Sequence, residues 1–158
     1  MGQPGKPIKG VVAVQAAHNR RETLWDALKA RHCYGTTGER IIMELTINGQ
    51  PMGSEFKAQM GDALDIRFEV NGSDELSFVE LVRYRFDQQM WETVHIDRTM
   101  VRDPFAESGI VDPMDYVGHL EQAFEGDVLY YLRVGQKKQL DNWPVLGWSS
   151  PIWVTATQ

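Results

Sequence analysis

Arg40-Ile41-Ile42-Met43-Glu44-Leu45-Thr46-Ile47-Asn48-Gly49 is the stretch that decides the fold class. Ile41, Met43, Leu45 and Ile47 alternate with Ile42, Glu44 and Thr46, a period of two that puts one apolar row on one face of a strand. Asn48-Gly49 closes it with a dipeptide suited to a tight hairpin turn. The same grammar recurs downstream. Leu64, Ile66, Phe68 and Val70 alternate with Asp65, Arg67 and Glu69, and Asn71-Gly72 stops them. Phe56–Ala58 and Met90–Ile96 read as short strands, and Leu76–Tyr84, apolar on both faces, reads as a central one. Tyr116–Gln122 and Asp127–Gln136 follow the same pattern, and Pro151–Ala156 closes the chain with Pro151 at a strand start. Residues 97–115, acidic and broken by Pro104 and Pro113, read as a long loop. Short strands with turn signals at roughly ten-residue spacing mean a mainly β chain built as an antiparallel sandwich.

Upstream of Arg40 the period differs. Met1–Gly10 is Gly- and Pro-rich lead-in, and Val11-Val12-Ala13-Val14 is a short apolar strand. Asn19 is placed to cap a helix over residues 20–31, with Glu22 completing a capping box. Leu24, Trp25 and Leu28 give that helix an apolar stripe, and Gly35 and Gly38 around Thr36-Thr37 are expected to end it. The expected division is therefore a strand–helix segment over residues 1–39 and a β-sandwich over residues 40–158.

Composition excludes several classes. The 158 residues carry 16 Lys and Arg against 22 Asp and Glu, a net charge of −6. A nucleic-acid or anionic-membrane surface needs a basic balance instead. No apolar run reaches the 18 residues of a membrane span. The opening residues lack the apolar core of a signal peptide, so the default expectation is the cytoplasm. A single cysteine, Cys33, makes no internal disulfide.

Two segments resemble a known family. Arg21-Glu22-Thr23-Leu24-Trp25-Asp26-Ala27-Leu28 leads into Arg31-His32-Cys33-Tyr34-Gly35-Thr36-Thr37-Gly38-Glu39-Arg40-Ile41, then Asn48-Gly49-Gln50-Pro51-Met52-Gly53. Tyr130-Tyr131-Leu132-Arg133-Val134 is followed by Trp148-Ser149-Ser150-Pro151-Ile152-Trp153-Val154. In this order they resemble the C-terminal part of an uncharacterised bacterial family of metal-dependent hydrolases related to the polymerase-and-histidinol-phosphatase (PHP) superfamily. The resemblance implies an immunoglobulin- or fibronectin-like sandwich after a PHP-type barrel, of which residues 1–39 would be the last strand and helix. It also implies divalent metals, manganese or zinc, held by barrel residues that would precede Gly2-Gln3-Pro4-Gly5. This chain alone is then expected to hold no cofactor and to be catalytically silent. Its expected partner is the barrel, or a second copy through residues 11–31. Two departures from the family pattern are Gly35, in place of alanine, and the longer stretch Lys137–Gly147.

Few residues qualify as site candidates. His18, His32, His95 and His119 make no metal-ligand spacing, and no metal is assigned to them. Cys33, Ser149 and Ser150 lack the partners of a nucleophile. Asp97, Asp103, Glu107, Asp112 and Asp115 do not follow a calcium-loop spacing and read as a solvated loop. Tyr34, Thr36, Thr37, Gly38 and Arg40 form the joint between the two segments, a hydrogen-bonded turn in which Arg40 is expected to meet a carboxylate. Of Trp25, Trp91, Trp143, Trp148 and Trp153, the pair Trp143 and Trp148 is the candidate for stacking on a glycan or a protein partner, in an alternative reading as a free-standing binding module.

Overall fold

A computed structural model describes residues 10–97 and 114–157. The elements are β1 (Val11–Val14), α1 (Arg21–Lys29), β2 (Cys33–Thr36), β3 (Ile42–Ile47), β4 (Gln50–Pro51), β5 (Glu55–Ala58), β6 (Ala63–Asn71), β7 (Leu76–Arg85), β8 (Met90–Asp97), β9 (Asp115–Ala123), β10 (Val128–Leu140), β11 (Trp143–Ser149) and β12 (Ile152–Ala156). Most of the loop expected over residues 97–115 lies outside the described residues.

The strands form two sheets. In the smaller, β4–β3–β6–β9 pair antiparallel in sequence, with Leu45 opposite Phe68 and Phe68 opposite Gly118. In the larger, β7 lies between β8 and β10. The other edge of β10 is shared: β11 takes its C-terminal half and β12 its N-terminal end. β2 then pairs with β11 and β1 with β2, while β5 adds to β12 as the parallel pair.

Alternation in the sequence becomes inside and outside here. Met43, Leu45 and Ile47 of β3 and Leu64, Ile66, Phe68 and Val70 of β6 are buried against Val79, Leu81, Tyr130, Leu132, Val134, Ile152 and Val154 of the other sheet. Burying each such side chain contributes about 1.5–3 kcal/mol before chain entropy is counted. The chain is thus mainly β, two mostly antiparallel sheets around one core.

Three local expectations are corrected. First, α1 is shorter than residues 20–31, and its N-cap is Arg20, in extended conformation and without a side-chain cap, not Asn19. The Thr23 hydroxyl holds the first turn by donating to the carbonyls of His18 and Arg20. Second, Gly35 and Gly38 do not end the helix. Arg31 does, in the left-handed region at φ 60°, with its N–H bonded to Leu28 O and that of His32 to Ala27 O. This is the paired closure that glycine usually serves. Gly35 and Thr36 instead belong to β2, so β1 and β2, from the segment set apart as 1–39, join the larger sheet by backbone hydrogen bonds. Third, the strand expected to end at Gln136 runs on to Leu140 as β10, Asp141 and Asn142 turn at φ 50° and 67°, and β11, which the sequence reading did not give, returns. Two left-handed residues in succession match the twist of a two-residue hairpin turn.

Candidate functional site

The joint between α1 and the sandwich is held by its own polar groups. Thr36 Oγ1 donates to Glu39 O at 2.6 Å. Thr37 Oγ1 donates to Pro144 O at 3.1 Å and accepts from Leu146 N at 2.9 Å, tying the turn to β11. Gly38 takes φ 104°, a conformation that disfavours a side chain. Tyr34 is buried on the core side, and burial pushes its hydroxyl pKa up. Arg40 makes no ion pair among the described residues. The carboxylate expected to meet it is not found there; its neighbour Glu39 instead meets Lys138 at 2.8 Å and accepts from the Ser73 hydroxyl at 3.0 Å.

The hydrogen bond from Lys138 holds the Glu39 carboxyl below its ordinary value of 4.5. A depressed carboxyl contributes stability that is present above the ordinary value and is lost as pH falls through the folded value. Glu39→Gln is therefore expected to lower the melting temperature slightly at pH 7, and the gap to the parent should narrow as pH falls below 4.5 and through the folded value. A gap that stays constant from pH 7 down to acid would show that the Lys138 contact is not its origin.

Arg31 anchors the helix to the sandwich. Its Nε donates to Gly53 O at 3.0 Å, Nη2 meets Glu55 at 2.8 Å, and the guanidinium lies 4.9 Å over the Trp153 ring. Gly53, at φ 90°, lies against the helix end so closely that an added Cβ would stand 2.4 Å from Arg31 O. The N–H of Gly53 donates to Pro151 O, which fixes the loop to the start of β12.

That anchor leaves the stripe of the helix bare. Ala27 is buried, but Trp25 is 58% and Leu28 44% exposed. Arg21, Glu22, Leu24, Trp25 and Leu28 line a shallow concavity of about 630 Å³, and the Lys29 ammonium sits 5.2 Å over the Trp25 ring. Beside the helix, β1 is apolar at every position, with Val12 64% exposed. Among the described residues it pairs with β2 alone.

Other candidates disperse. Trp143 and Trp148 are exposed, but five residues apart on β11 they point to opposite faces of the sheet, separated by about 17 Å along the strand. They do not form one platform. A different aromatic cluster forms across β8, β7 and β10: Trp91 stands 4.7 Å from Tyr84 and 5.8 Å from Tyr131, at 46° and 80° between planes. These rings pack on one another rather than lying flat side by side.

The four histidines lie apart. His95 Nε2 is 2.6 Å from the Tyr116 hydroxyl and its ring stands edge-on to Phe68. Tyr116 in turn has its pKa raised by burial and by the Asp97 carboxylate. His119 meets Asp65 at 2.8 Å on the outer face of the smaller sheet, while His18 and His32 flank α1. Among the described residues no three His, Cys, Asp or Glu side chains converge as metal ligands. Cys33 Sγ is 3.6 Å from Ser150 Oγ, and Ser149 Oγ accepts from Leu132 N, so both serines serve the strands. Asp115 accepts from Asn71; Asp103, Glu107 and Asp112 lie outside the described residues.

Sequence reading missed three polar clusters. Glu80, almost fully buried, is paired with Arg133. Arg83 joins Glu92, Gln122 and Tyr130, whose own hydroxyl donates to Gln122 at 2.9 Å. Gln136, buried, accepts from Ser73. Each joins residues tens of positions apart, so only strand pairing reveals them.

Comparison with known proteins adds scale rather than chemistry. Residues 6–48, the segment that carries β1, α1, the joint and β3, match a family described as proteins of unknown function (DUF3604). Over 156 residues the chain is 31% identical to an uncharacterised protein of Chlamydia muridarum, and over 155 residues 30% identical to one of Chlamydia trachomatis. A Chlamydia pneumoniae protein is 30% identical over 161 residues. Each alignment covers 92% of this chain but 22% of the relative. The chain thus spans about a fifth of the length of these relatives. No solved structure matches it. No helix among the described residues is long and apolar enough to cross a membrane.

Proposed function

We propose that this chain is an accessory sandwich of a larger protein, a PHP-like metal-dependent hydrolase, and that it supports catalysis carried elsewhere in that protein. The observation that carries the accessory reading is the contrast between a closed sandwich core and the bare stripe of α1. A free-standing domain would cover Trp25 and Leu28 with its own residues. The small share of the relatives' length that the chain covers supports the same reading. The hydrolase identity rests on the motif resemblance, from Arg21-Glu22 through Trp148-Ser149-Ser150-Pro151-Ile152-Trp153.

The strand arrangement supports the immunoglobulin- or fibronectin-like form of sandwich. β3, β6 and β9 belong to one sheet and β8, β7, β10 and β12 to the other, two mostly antiparallel sheets face to face, with β5 added to β12 in parallel. In this reading β1 and α1 are the elements that face the catalytic barrel. The divalent metals would be held by barrel residues. The described residues of this chain do not assemble a ligand set, so no step is routed through a metal here. The role of the chain is positional: the joint and the Arg31 anchor orient the sandwich against the domain that does the chemistry.

The test is an assay of the purified chain with a panel of phosphate and carboxylate esters, with manganese or zinc added. No turnover above the metal-only blank is expected, while the longer relative from Chlamydia trachomatis should turn over part of the panel. Clear metal-dependent turnover by the 158-residue chain would overturn the reading.

A further inference from the structure

We infer that the outer face of the larger sheet is a self-association surface whose occupant is a second copy of this chain. This goes beyond the accessory reading and does not depend on the hydrolase identity. Strand register assembles the surface from residues far apart in sequence.

Directly opposed residues of an antiparallel pair share a face. Trp91 of β8 lies opposite Tyr84 of β7, Tyr84 opposite Leu129 of β10, and Leu129 opposite Trp153 of β12. One step along, Thr93, Val82 and Tyr131 are opposed in the same way, and beyond them Ile96, Glu80, Arg133 and Trp148. Leu81, Tyr130 and Leu132, in the core, alternate with these residues, so the rows point away from it. Three of the five tryptophans, Trp91, Trp148 and Trp153, therefore share the outer face.

An antiparallel sheet packed on a core ordinarily turns a polar face to water. Here Trp91 is 57% and Phe86 45% exposed, and Ile96 and Trp148 are exposed with them. Phe86 stands edge-on to Tyr84 at 5.0 Å and belongs to the same cluster. Aromatic residues with few charges are the composition of the buried centre of a protein interface. The ring planes of the cluster meet at angles between 46° and 86°. Val82, Leu129 and Ile96 share the face, so it is no flat, hydrogen-bonding platform for a sugar.

Charge and area choose the occupant. Among the described residues of β7, β8, β10 and β11, the charges on this face are Glu80 and Arg133, which pair with each other. Copies that each carry a net charge of −6 repel one another, and least where a face is neutral. A strongly charged partner would find no complement there. At about 150–250 Å² for each aromatic side chain, the exposed fractions leave on the order of 500 Å² of apolar surface. A stable interface buries about 800 Å² per partner, so this face with its rim suits a dimer that forms and dissociates with concentration. Two-fold pairs are the commonest homo-oligomers, and sheets stack face to face at about 10 Å.

Sedimentation velocity of this chain from about 1 to 300 μM tests the proposal. A monomer–dimer equilibrium with a Kd of about 1–100 μM is expected, and salt should not weaken it because no net charge meets across the face. Trp91→Asp should weaken it at least about thirtyfold, the loss for a central aromatic of an interface, while Trp25→Glu and Trp143→Glu leave it unchanged. Thr93→Lys places a charge on the same face from an exposed position and should also dissociate the dimer, even if Trp91→Asp lowers the melting temperature. A chain that stays monomeric throughout overturns the proposal. So does a dimer that survives both Trp91→Asp and Thr93→Lys, or one that Trp25→Glu dissolves, which moves the contact to α1. Saturable quenching of tryptophan fluorescence by cellohexaose, lost in Trp91→Asp, overturns it as well, since the face is then a glycan site. None of these readouts involves ester hydrolysis, so the hydrolase reading stands or falls separately.

Discussion

Phe68→Ala should remove about 3–5 kcal/mol of folding stability, the range for emptying a large aromatic site in a core. Phe68 is almost fully buried at the middle of β6. Its ring stacks 6.0 Å from Tyr116 and meets His95 edge-on at 5.3 Å. It also lies over Gly118, where an added Cβ would fall 2.2 Å from the ring carbons. The cavity would therefore open beneath the contact between His95 of β8 and Tyr116 of β9, which belong to different sheets. A domain has about 5–15 kcal/mol in all, so the variant should unfold at markedly lower denaturant with an unchanged slope. Gly118→Ala attacks the same site from the other side by overpacking, at about 1–3 kcal/mol. In combination, Gly118→Ala with Phe68→Leu should be milder than the sum of the two, because each relieves the other. An additive pair, or a Phe68→Ala midpoint equal to the parent, would show that the ring is not the core element described.

Gly53→Ala should be comparably damaging, by a different route. At φ 90° a side chain costs about 1–3 kcal/mol in backbone strain alone. The new methyl would also stand against the Ala30 and Arg31 backbone, which cannot rotate away as a side chain does. Relief requires the loop to withdraw from the helix end, which breaks the Arg31–Gly53 hydrogen bond and lifts the guanidinium from Trp153. A total of about 3–5 kcal/mol is expected, a drop on the order of 10 °C for a domain of this size. Arg31→Ala added to Gly53→Ala should cost little more, since the contacts it removes are already lost. Full additivity in this double-mutant cycle would separate the two residues and defeat the anchor.

Much of the fold was legible because one face of each sheet is buried. Arg40–Gly49 and Leu64–Val70 expose their parity directly, and every apolar position predicted to face inward in them does so. The ends of α1 were not legible. A capping box predicts Asn19 from local chemistry, but Thr23 satisfies the first turn another way. Arg31 takes a left-handed conformation that sequence rules reserve for glycine, and it is held there by Glu55, Gly53 and Trp153, all more than twenty residues distant. The β10–β11 hairpin carried a readable turn in Asp141-Asn142, obscured by the polar run that precedes it. Of the candidate site, the apolar stripe Leu24, Trp25 and Leu28 was plain from helical spacing, whereas its exposure depends on what the rest of the chain fails to cover. That Trp143 and Trp148 face opposite ways follows from their odd spacing only once both are known to lie on β11, a strand the sequence reading did not give.

The ladder from β1 through β2 to β11 makes the two strands that flank the bare helix part of the larger sheet of the sandwich. No flexible linker separates them, and Arg31 braces the pair from the side. A grip on α1 would therefore act on the larger sheet rather than on a tether. Whatever reads the outer face of β7 and β8, with Tyr84 and Trp91 upon it, would be aimed by the contact at the other end.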